Sequence, residues 1–259
     1  MEFPVWIDFG LFRLHPHVVF EALGYFLGFR FYLFARRSER LSPSVSLSVL
    51  AGAIVGAALG SKLLAWFYDW TILWSHLQHP LFDPAFWMEG KSIVGGLLGG
   101  LIGVELAKKI VGHKESTGDD LTLPLITGMA IGRIGCFLTG IEDNTYGIAT
   151  TLPWGMDFGD GMLRHPTQLY ELFFLLSLGI ILFLKNKHPH KEGDLFKLFM
   201  VGYLLFRLMV DFIKPYPREY LGLGAIQIAC LLGILYYTKD IPRLLGFLRK
   251  REDFKEESA

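Results

Sequence analysis

The sequence predicts an all-α polytopic membrane protein with seven transmembrane helices, and three observations support that prediction. Hydrophobic residues make up 52% of the 259 residues, and the mean hydropathy is positive, which is typical of membrane bundles. Seven apolar runs approach the length of about 20 residues that a spanning helix needs. Basic and acidic residues alternate between successive connections. At this length we expect one membrane-embedded domain over residues 1–259.

Each predicted helix rests on its own feature of the sequence. The first run follows an N-terminus that lacks the basic start and apolar core of a cleavable signal peptide, so we expect it to act as its own insertion signal. The second and third runs carry glycines every four residues, which lets helices approach closely in lipid. The fourth and sixth each contain an arginine, and the fifth follows Pro166, which suits a first helical turn. The seventh is apolar around Cys230. The runs are approximately 18–35, 47–67, 93–107, 121–138, 169–184, 195–213 and 221–238.

Charge in the connections predicts the orientation, because lysine and arginine collect on the cytoplasmic side. The N-terminus is therefore expected outside and the C-terminus in the cytoplasm. The basic connections and tail hold Arg36, Arg37, Arg40, Lys108, Lys109, Lys114, Lys185, Lys187, Lys191, Lys239, Arg243, Arg249, Lys250 and Arg251. The acidic connections hold Asp69, Asp83, Glu89, Glu142, Asp143, Asp157 and Asp160.

Composition also excludes several classes of function. The formal net charge is zero, so nothing indicates a nucleic-acid partner. The two cysteines both lie in apolar stretches, which argues against a disulfide framework. Zinc-type spacing, a phosphate-cradling glycine loop and a nucleophile elbow are all missing, so we expect neither a metal nor a cofactor.

Two arginines lie inside apolar helices, where a cation costs roughly 2.5–3.5 kcal/mol unless an anion or water compensates it. Arg133 lies near the outer end of the fourth run, and Arg207 lies within the sixth. In a bilayer the commonest anionic group is a lipid phosphate, so the pair suggests a phosphate clamp. The alternative for Arg207 is an ion pair with Asp211, one turn further along the same helix.

A polar block opens the fifth run and could line a water-filled cavity. Arg164 and His165 are expected at a helix N-terminus, which favours anions, and His165 is either a proton shuttle or a capping residue. Gln168, Tyr170 and Glu171 follow in the first turns.

Three further polar residues at membrane depth have open roles. Glu21 is either solvated, paired with an arginine, or a base, and Lys62 could face the cavity. Cys136 lies one helical turn beyond Arg133 and would gain thiolate character beside a fixed cation, although a plain buried thiol is the alternative.

Four ordered motifs resemble those of the prolipoprotein diacylglyceryl transferase family, a group of bacterial inner-membrane enzymes. The run from Gly132 to Gly140 looks like the family signature, and the block from Arg164 to Glu171 is very similar to a second motif. Gly202 to Arg207, followed by Asp211, looks like a third. Lys91 to Gly99 occupies the place of a His-Gly-Gly stretch.

The resemblance implies a multi-pass inner-membrane enzyme that transfers a diacylglyceryl group from phosphatidylglycerol to the lipobox cysteine of a preprolipoprotein signal peptide, releasing glycerol phosphate. Membrane lipids are further partners. The implied catalytic residues are Arg133 and Arg207 as the phosphate clamp. Since Val94 stands where the family has its histidine, His165 is the first candidate base and Glu21, in the place of a family tyrosine, the second. The implied substrate-binding residues are Arg164, Gln168, Tyr170, Glu171, Asp211, Lys62, Cys136, Thr139 and Glu142; of these, Cys136 and Thr139 replace the two asparagines of the signature, and Lys62 replaces an arginine.

Two alternatives stay open at this point. A paralogue could use the same lipid clamp with a different acceptor, either another thiol or a small molecule. A lipid transporter or lipid-binding protein would carry no covalent chemistry, but transporters commonly show inverted repeats, and the sequence shows no such symmetry.

Overall fold

The structure is a computed structural model that describes residues 3–8, 10, 12–35, 42–78, 90–218 and 220–249. Within these residues the chain is mostly helical and has two short antiparallel hairpins, one before the first helix and one before the sixth. The helices are α1 (Pro16–Ala35), α2 (Pro43–Tyr68), α3 (Trp70–Gln78), α4 (Ile93–Val111), α5 (Asp119–Thr139), α6 (Thr167–Lys185), α7 (Asp194–Val210), α8 (Ala225–Tyr236) and α9 (Ile241–Arg249). Short 3₁₀ turns extend α5 over Gly140–Asp143 and α7 over Asp211–Ile213. The hairpins pair β1 (Ile7–Asp8) with β2 (Arg13–Leu14) and β3 (Met156–Asp157) with β4 (Leu163–Arg164).

Seven helices lie over the seven predicted runs, with ends that differ by a few residues. Four of them, α1, α2, α5 with its 3₁₀ turn, and α6, are long and apolar enough to cross a membrane. Helix α8 has 12 residues, which at 1.5 Å per residue covers little more than half of a hydrocarbon core of about 30 Å. The count of seven spans and the orientation therefore stay predictions. Helices α3 and α9 and the two hairpins were not expected from the sequence.

Part of the predicted charge pattern falls on positions without a described structure. Arg36, Arg37, Arg40, Asp83, Glu89, Lys250 and Arg251 lie outside the described residues.

Local sequence explains where α2 and α4 begin and end. Ser42 and Ser92 are their N-caps, and each side chain accepts a hydrogen bond from the backbone N–H three residues later, which satisfies a donor that the helix leaves unpaired. Helix α4 ends at Gly112, whose φ of 72° is left-handed, a conformation that glycine adopts without a Cβ penalty.

Helices α2 and α4 touch along a ridge of glycines at backbone distance. A Cβ built on Gly56 would lie 2.3 Å from the carbonyl oxygen of Gly99, and one on Gly103 would lie 2.0 Å from that of Gly52. Only glycine permits this approach, because any side chain would overlap the facing backbone. The four-residue glycine spacing is therefore a helix-packing surface. Helix α1 packs on α5 in a similar way, with Gly24 facing the carbonyl of Gly128.

The main core lies between α5, α6, α7 and α8. Phe199, Tyr203 and Leu204 of α7 are fully buried against Leu175 of α6 and Cys230 of α8. By contrast, large apolar side chains on the outer helices are exposed, among them Phe34 at 89% and Ile110 at 84%. Such a surface suits hydrocarbon and would be unfavourable in water. The bundle thus has a closely packed centre and an apolar outer surface.

Ion pairs fix α9 against the start of α7. Arg243 contacts Asp194 at 2.7 Å and Asp240 at 2.6 Å, and Lys197 contacts Asp240 at 2.9 Å. These cations hold the pKa of Asp240 below its ordinary value. Arg207 lies at the opposite end of α7.

Candidate functional site

Arg133 and Arg207 point to the same place and share one carboxylate. Arg133 lies in the last two turns of α5, and Arg207 lies in the last turn of α7; each is 5% exposed. Glu171, in the second turn of α6 and 1% exposed, accepts from both. Arg133 Nη2 is 2.8 Å from Glu171 Oε1, and Arg207 Nη1 is 3.2 Å from Oε2. A buried carboxylate between two guanidiniums offsets part of their desolvation cost.

Two more groups bind to these ion pairs directly. The Tyr203 hydroxyl donates to Glu171 Oε1 at 2.6 Å, and Arg207 Nη2 lies 2.9 Å from Asp211 Oδ1. The intrahelical pair of Arg207 with Asp211 is thus present, but Arg207 also pairs with Glu171 and so belongs to a larger network. Arg133 draws its counterion from another helix, so its partner could not be read from its own sequence neighbourhood.

Several buried polar atoms on α5, α6 and α7 have no hydrogen-bond partner within the described part of the chain. They are the donor Nε–H groups of Arg133 and Arg207, and the amide nitrogen and oxygen of Gln168, a donor and an acceptor. Gln168 lies in the first turn of α6 and is 1% exposed. An unpaired buried donor costs about 1–3 kcal/mol, and more when it is charged. Such groups point to a bound anion or ordered water between the helices.

Lys214 adds a third cation to the cluster. It follows the 3₁₀ turn at the end of α7, is 2% exposed, and its Nζ lies 5.5 Å from the centre of the Tyr216 ring. Burial, together with Arg207 and Arg133, lowers the pKa of Lys214 to about 7. With Lys214 protonated, three cations face the two carboxylates Glu171 and Asp211, which leaves one positive charge (3 − 2). A phosphodiester carries one negative charge and would neutralise it.

A second polar group lies beside the first and is joined to it through Cys136. Arg133 Nη1 is 3.5 Å from Cys136 Sγ. A ring nitrogen of His17, Cys136 Sγ and an Asp143 oxygen all lie within 4.8 Å of one another. His17 is the second residue of α1, and Asp143 ends the 3₁₀ turn after α5, so the α1–α5 contact assembles this group.

Glu21 extends the second group along α1. Its Oε2 lies 3.6 Å from His17 Nε2, and its Oε1 accepts from Lys91 at 2.7 Å and from Tyr25 at 3.0 Å. The sequence suggested an arginine as the partner of Glu21; the structure instead provides Lys91 and His17.

His17, Cys136 and Asp143 have the side-chain types of a metal site. Two observations weigh against a cation there. The imidazole is already hydrogen-bonded to Asp143, at 2.6 Å, and the permanently charged Arg133 contacts the sulfur, which repels a metal ion. The arrangement suits proton transfer better than metal binding.

His165 and Tyr170 form a separate group at the start of α6. His165 Nδ1 is 3.1 Å from the Tyr170 hydroxyl, which accepts from Trp154 Nε1 at 2.8 Å. Pro166 lies immediately before the helix rather than in its first turn, because its carbonyl accepts the first helical hydrogen bonds, from Leu169 and Tyr170.

Arg164 does not lie at the helix N-terminus, contrary to the expectation from sequence. It is in β4, where its Nε donates to Asp160 at 2.8 Å and its guanidinium stacks 4.8 Å from the centre of the Tyr146 ring. The hairpin pairing draws the residue away from the helix start. This ion pair holds the pKa of Asp160 below, and that of Arg164 above, its ordinary value.

The remaining predicted site residues have simpler surroundings. Thr139 donates to the Gly135 carbonyl at 2.9 Å, and Glu142, largely exposed, lies 3.5 Å from His15 Nε2. Lys62 is buried, at 7% exposure, and Val94, at 1%, belongs to the hydrophobic core. Val94 therefore supplies no polar group to the site.

Sequence reasoning did not single out His17, Asp143, Tyr203 or Lys214. One signal was available: His17 and Glu21 are four residues apart and so share a helix face. No comparable signal joins His17 to Asp143.

Comparison with known proteins agrees with the motif resemblance. A sequence model described as prolipoprotein diacylglyceryl transferase matches residues 4–240. Proteins named phosphatidylglycerol–prolipoprotein diacylglyceryl transferase are similar in sequence. That of Cupriavidus metallidurans is 36% identical over 156 residues, which cover 58% of this chain and 56% of the relative. That of Bordetella parapertussis is 38% identical over 148 residues, covering 54% and 53%. The chain thus spans little more than half the length of these relatives.

Proposed function

The chain belongs to the prolipoprotein diacylglyceryl transferase family, and from that premise we propose that it transfers a diacylglyceryl group from phosphatidylglycerol to the lipobox cysteine thiol of preprolipoproteins. The observation that carries the proposal is the convergence of Arg133 and Arg207 on Glu171, with unpartnered Nε–H groups and, when Lys214 is protonated, one excess positive charge. A phosphodiester meets both needs, since it brings one negative charge and several acceptor oxygens.

The phosphate is held by groups that Glu171 does not occupy. Glu171 takes one Nη atom of each arginine, which leaves both Nε–H groups for phosphate oxygens. Charge-assisted bonds of this kind are roughly twice as strong as neutral ones. Gln168 offers its amide, and Lys214 adds charge.

The reaction is a displacement at the glycerol carbon that carries the phosphate. The thiolate sulfur forms a bond to that carbon, and the carbon–oxygen bond breaks. Its electron pair stays on the leaving glycerol phosphate, and a thioether-linked diacylglyceryl group remains. As the bond breaks, negative charge grows on the phosphate, where the two fixed guanidiniums stabilise it; preorganised charge of this kind typically accounts for about 10²–10³ in rate per donor.

We assign the remaining predicted residues to positions around this centre. Glu171 and Asp211 hold the arginines in place, and Cys136 lies between Arg133 and the second polar group. Tyr170 and His165, with Arg164 behind them, would line the approach from the hairpin side, and Thr139, Glu142 and Lys62 the periphery. His165 and Glu21 remain candidate bases from the sequence.

We also propose that the enzyme crosses the bacterial cytoplasmic membrane seven times, as a single domain, with the N-terminus outside. Arg133 and Arg207 lie near the C-terminal ends of α5 and α7, and Glu171 lies near the N-terminal end of α6, so one side of the bundle carries all three. In the predicted orientation that side is the outer leaflet, from which phosphatidylglycerol would enter laterally. The lipobox peptide would approach from the same side.

Cells depleted of their resident transferase provide the test. The chain is expressed with a lipobox reporter, and the mass of the reporter is measured. We expect a gain of one diacylglyceryl group, reduced about 10²–10³-fold in initial rate by Arg133→Gln or Arg207→Gln. Arg13→Gln is the matched control, because Arg13 pairs with Asp8 at the surface with a side chain 70% exposed, and it should leave the rate unchanged.

Two outcomes would contradict the proposal. A reporter that gains no mass while phosphatidylglycerol protects the protein from thermal unfolding would favour a different acceptor or a lipid-binding protein without transfer. A mass gain that survives both arginine substitutions would show that the ion cluster is structural only.

A further inference from the structure

His17 and Asp143 form a close polar pair outside the arginine cluster. His17 Nδ1 is 2.6 Å from Asp143 Oδ1, and Thr145 donates to the other carboxylate oxygen. The Asp143 side chain is 5% exposed. A buried carboxylate bonded to one ring nitrogen fixes the tautomer and leaves the other nitrogen as a proton acceptor, which is how an aspartate orients a catalytic histidine.

The second nitrogen of His17 faces Glu21. Its Nε2 is 3.6 Å from Glu21 Oε2, which is too long for a hydrogen bond, and the imidazole side chain is 35% exposed. The charged and titratable groups around this ring are Asp143, Glu21 and Cys136, with Lys91 behind Glu21 and Arg133 behind Cys136. Two carboxylates would stabilise the imidazolium that proton uptake creates.

The separation between His17 and the arginine cluster suits a displacement reaction. A phosphate oxygen would lie about 2.8 Å from a guanidinium, an attacking sulfur about 3–3.5 Å from the carbon, and a base about 2.6–3.2 Å from the proton it takes. The base must therefore lie several ångströms from the guanidinium. His17 does so: Cys136 stands between them, 3.5 Å from Arg133 Nη1 and within 4.8 Å of the His17 ring nitrogen.

We propose that His17, oriented by Asp143, is the catalytic base that takes the proton of the acceptor thiol. The inference rests on the proposed transfer reaction. The S–H proton passes to Nε2, the sulfur lone pair forms the carbon–sulfur bond, and the departing oxygen keeps the pair from the broken bond. The imidazolium then returns its proton to the released phosphate or to water. Cys136 itself is not the acceptor, since a thioether formed on it could not be passed on.

His17 takes the place of His165 and Glu21 as the base. His165 holds the Tyr170 hydroxyl, and within the described residues no contact joins it to either buried arginine. Glu21 is hydrogen-bonded to Lys91 and Tyr25. Its role is therefore to stabilise the imidazolium of His17 rather than to take the thiol proton.

The test uses the full chain in nanodiscs that contain phosphatidylglycerol, with a lipobox peptide as acceptor. We expect His17→Gln to lower the transfer rate by about 10²–10⁴-fold and to remove the rise in rate with pH that follows deprotonation of the base. His165→Gln should keep that rise. Asp143→Asn tests the positioning role of Asp143. It should lower the transfer rate and shift the pH at which that rate rises.

A second acceptor separates a base from a structural histidine. A peptide with selenocysteine at the lipobox position is already ionised near neutral pH, so His17→Gln should regain most of the wild-type rate with it. Regained rate also shows that the variant is folded. His17→Gln that equals the wild type with the cysteine peptide, or that stays inactive with selenocysteine, would overturn the proposal.

Three further outcomes are informative. One equivalent of bound metal in the wild type, lost in His17→Gln, would make the cluster a metal site and also overturn the proposal. A wild type that binds phosphatidylglycerol but transfers to neither a peptide nor a small thiol would end the proposed function, and this inference with it. A wild type that transfers to the small thiol alone leaves the comparison of His17 and His165 intact, with that thiol as the acceptor.

Discussion

The glycine ridge between α2 and α4 allows a prediction whose magnitude follows from the coordinates. On α4, an added Cβ at Gly103 or Gly99 would overlap backbone oxygens of α2. At Gly100 or Gly96 it would make only ordinary van der Waals contacts. An added Cβ would lie 2.0 Å from the nearest atom at Gly103 and 2.3 Å at Gly99, but 3.5 Å at Gly100 and 3.8 Å at Gly96. One helix thus carries both test and control positions.

Gly103→Ala requires movement of the backbone, because the clash is with a carbonyl and no rotamer change can relieve it. Real Cβ atoms essentially never approach within 3.0 Å, so the added Cβ and the Gly52 oxygen must move apart by at least 1.0 Å (3.0 − 2.0). Overpacking of this kind costs about 1–3 kcal/mol, and sometimes more. Gly100→Ala meets no such clash and gains about 1 kcal/mol of helix propensity. Gly103→Ala should therefore lower the free energy of unfolding, whereas Gly100→Ala should not.

The free energy of unfolding measured by titration with a denaturing detergent in mixed micelles checks this prediction. We expect Gly103→Ala to lower the free energy by about 1–3 kcal/mol and Gly100→Ala to leave it unchanged or raise it. Equal values for the two variants, within about 0.5 kcal/mol, would refute the argument that backbone contact is the reason for these glycines.

Two further predictions concern the ion cluster. Glu171→Gln removes the carboxylate shared by both arginines and should lower the free energy of unfolding by about 3–5 kcal/mol, with the exposed Glu142→Gln as control; a loss below about 1 kcal/mol would show that the guanidiniums do not depend on Glu171. Lys214 has a folded-state pKa of about 7, below its ordinary 10.5, so the unfolded state binds more protons between these values and stability should rise with pH in that window. Lys214→Met should flatten this rise in pH-dependent thermal unfolding, and an unchanged slope would assign it to other groups.

The helices were predictable because each is a local apolar run, and the seven predicted runs all contain a helix. Their ends were less accurate where the start depends on a cap: α2 begins at Pro43, after the Ser42 cap, four residues earlier than the apolar run suggests. The hairpin at Met156–Asp157 was missed, because its stability comes from a turn in which Asp157 accepts from Gly159 and Gly161 rather than from hydrophobic periodicity.

The candidate site was only half predictable, for a physical reason. Arg133 and Arg207 were conspicuous because charge in an apolar helix needs compensation, and Asp211 was recognisable at one helical turn. The partnership of His17 with Asp143 joins residues 126 positions apart, and the choice of Glu171 as shared counterion depends on how three helices pack. Such contacts are set by tertiary structure, and a single sequence contains no local pattern for them.

The shared position of Glu171 has a consequence for exchange of lipids at each turnover. Because this carboxylate engages the Nη atoms and leaves each Nε–H aside, the proposed binding of a headgroup to the Nε–H groups would not require the bonds between α5, α6 and α7 to break. We therefore expect these three helices to stay joined between successive lipids, so that the rate of the cycle is set by diffusion along the bilayer and by chemistry rather than by repeated reassembly of the bundle.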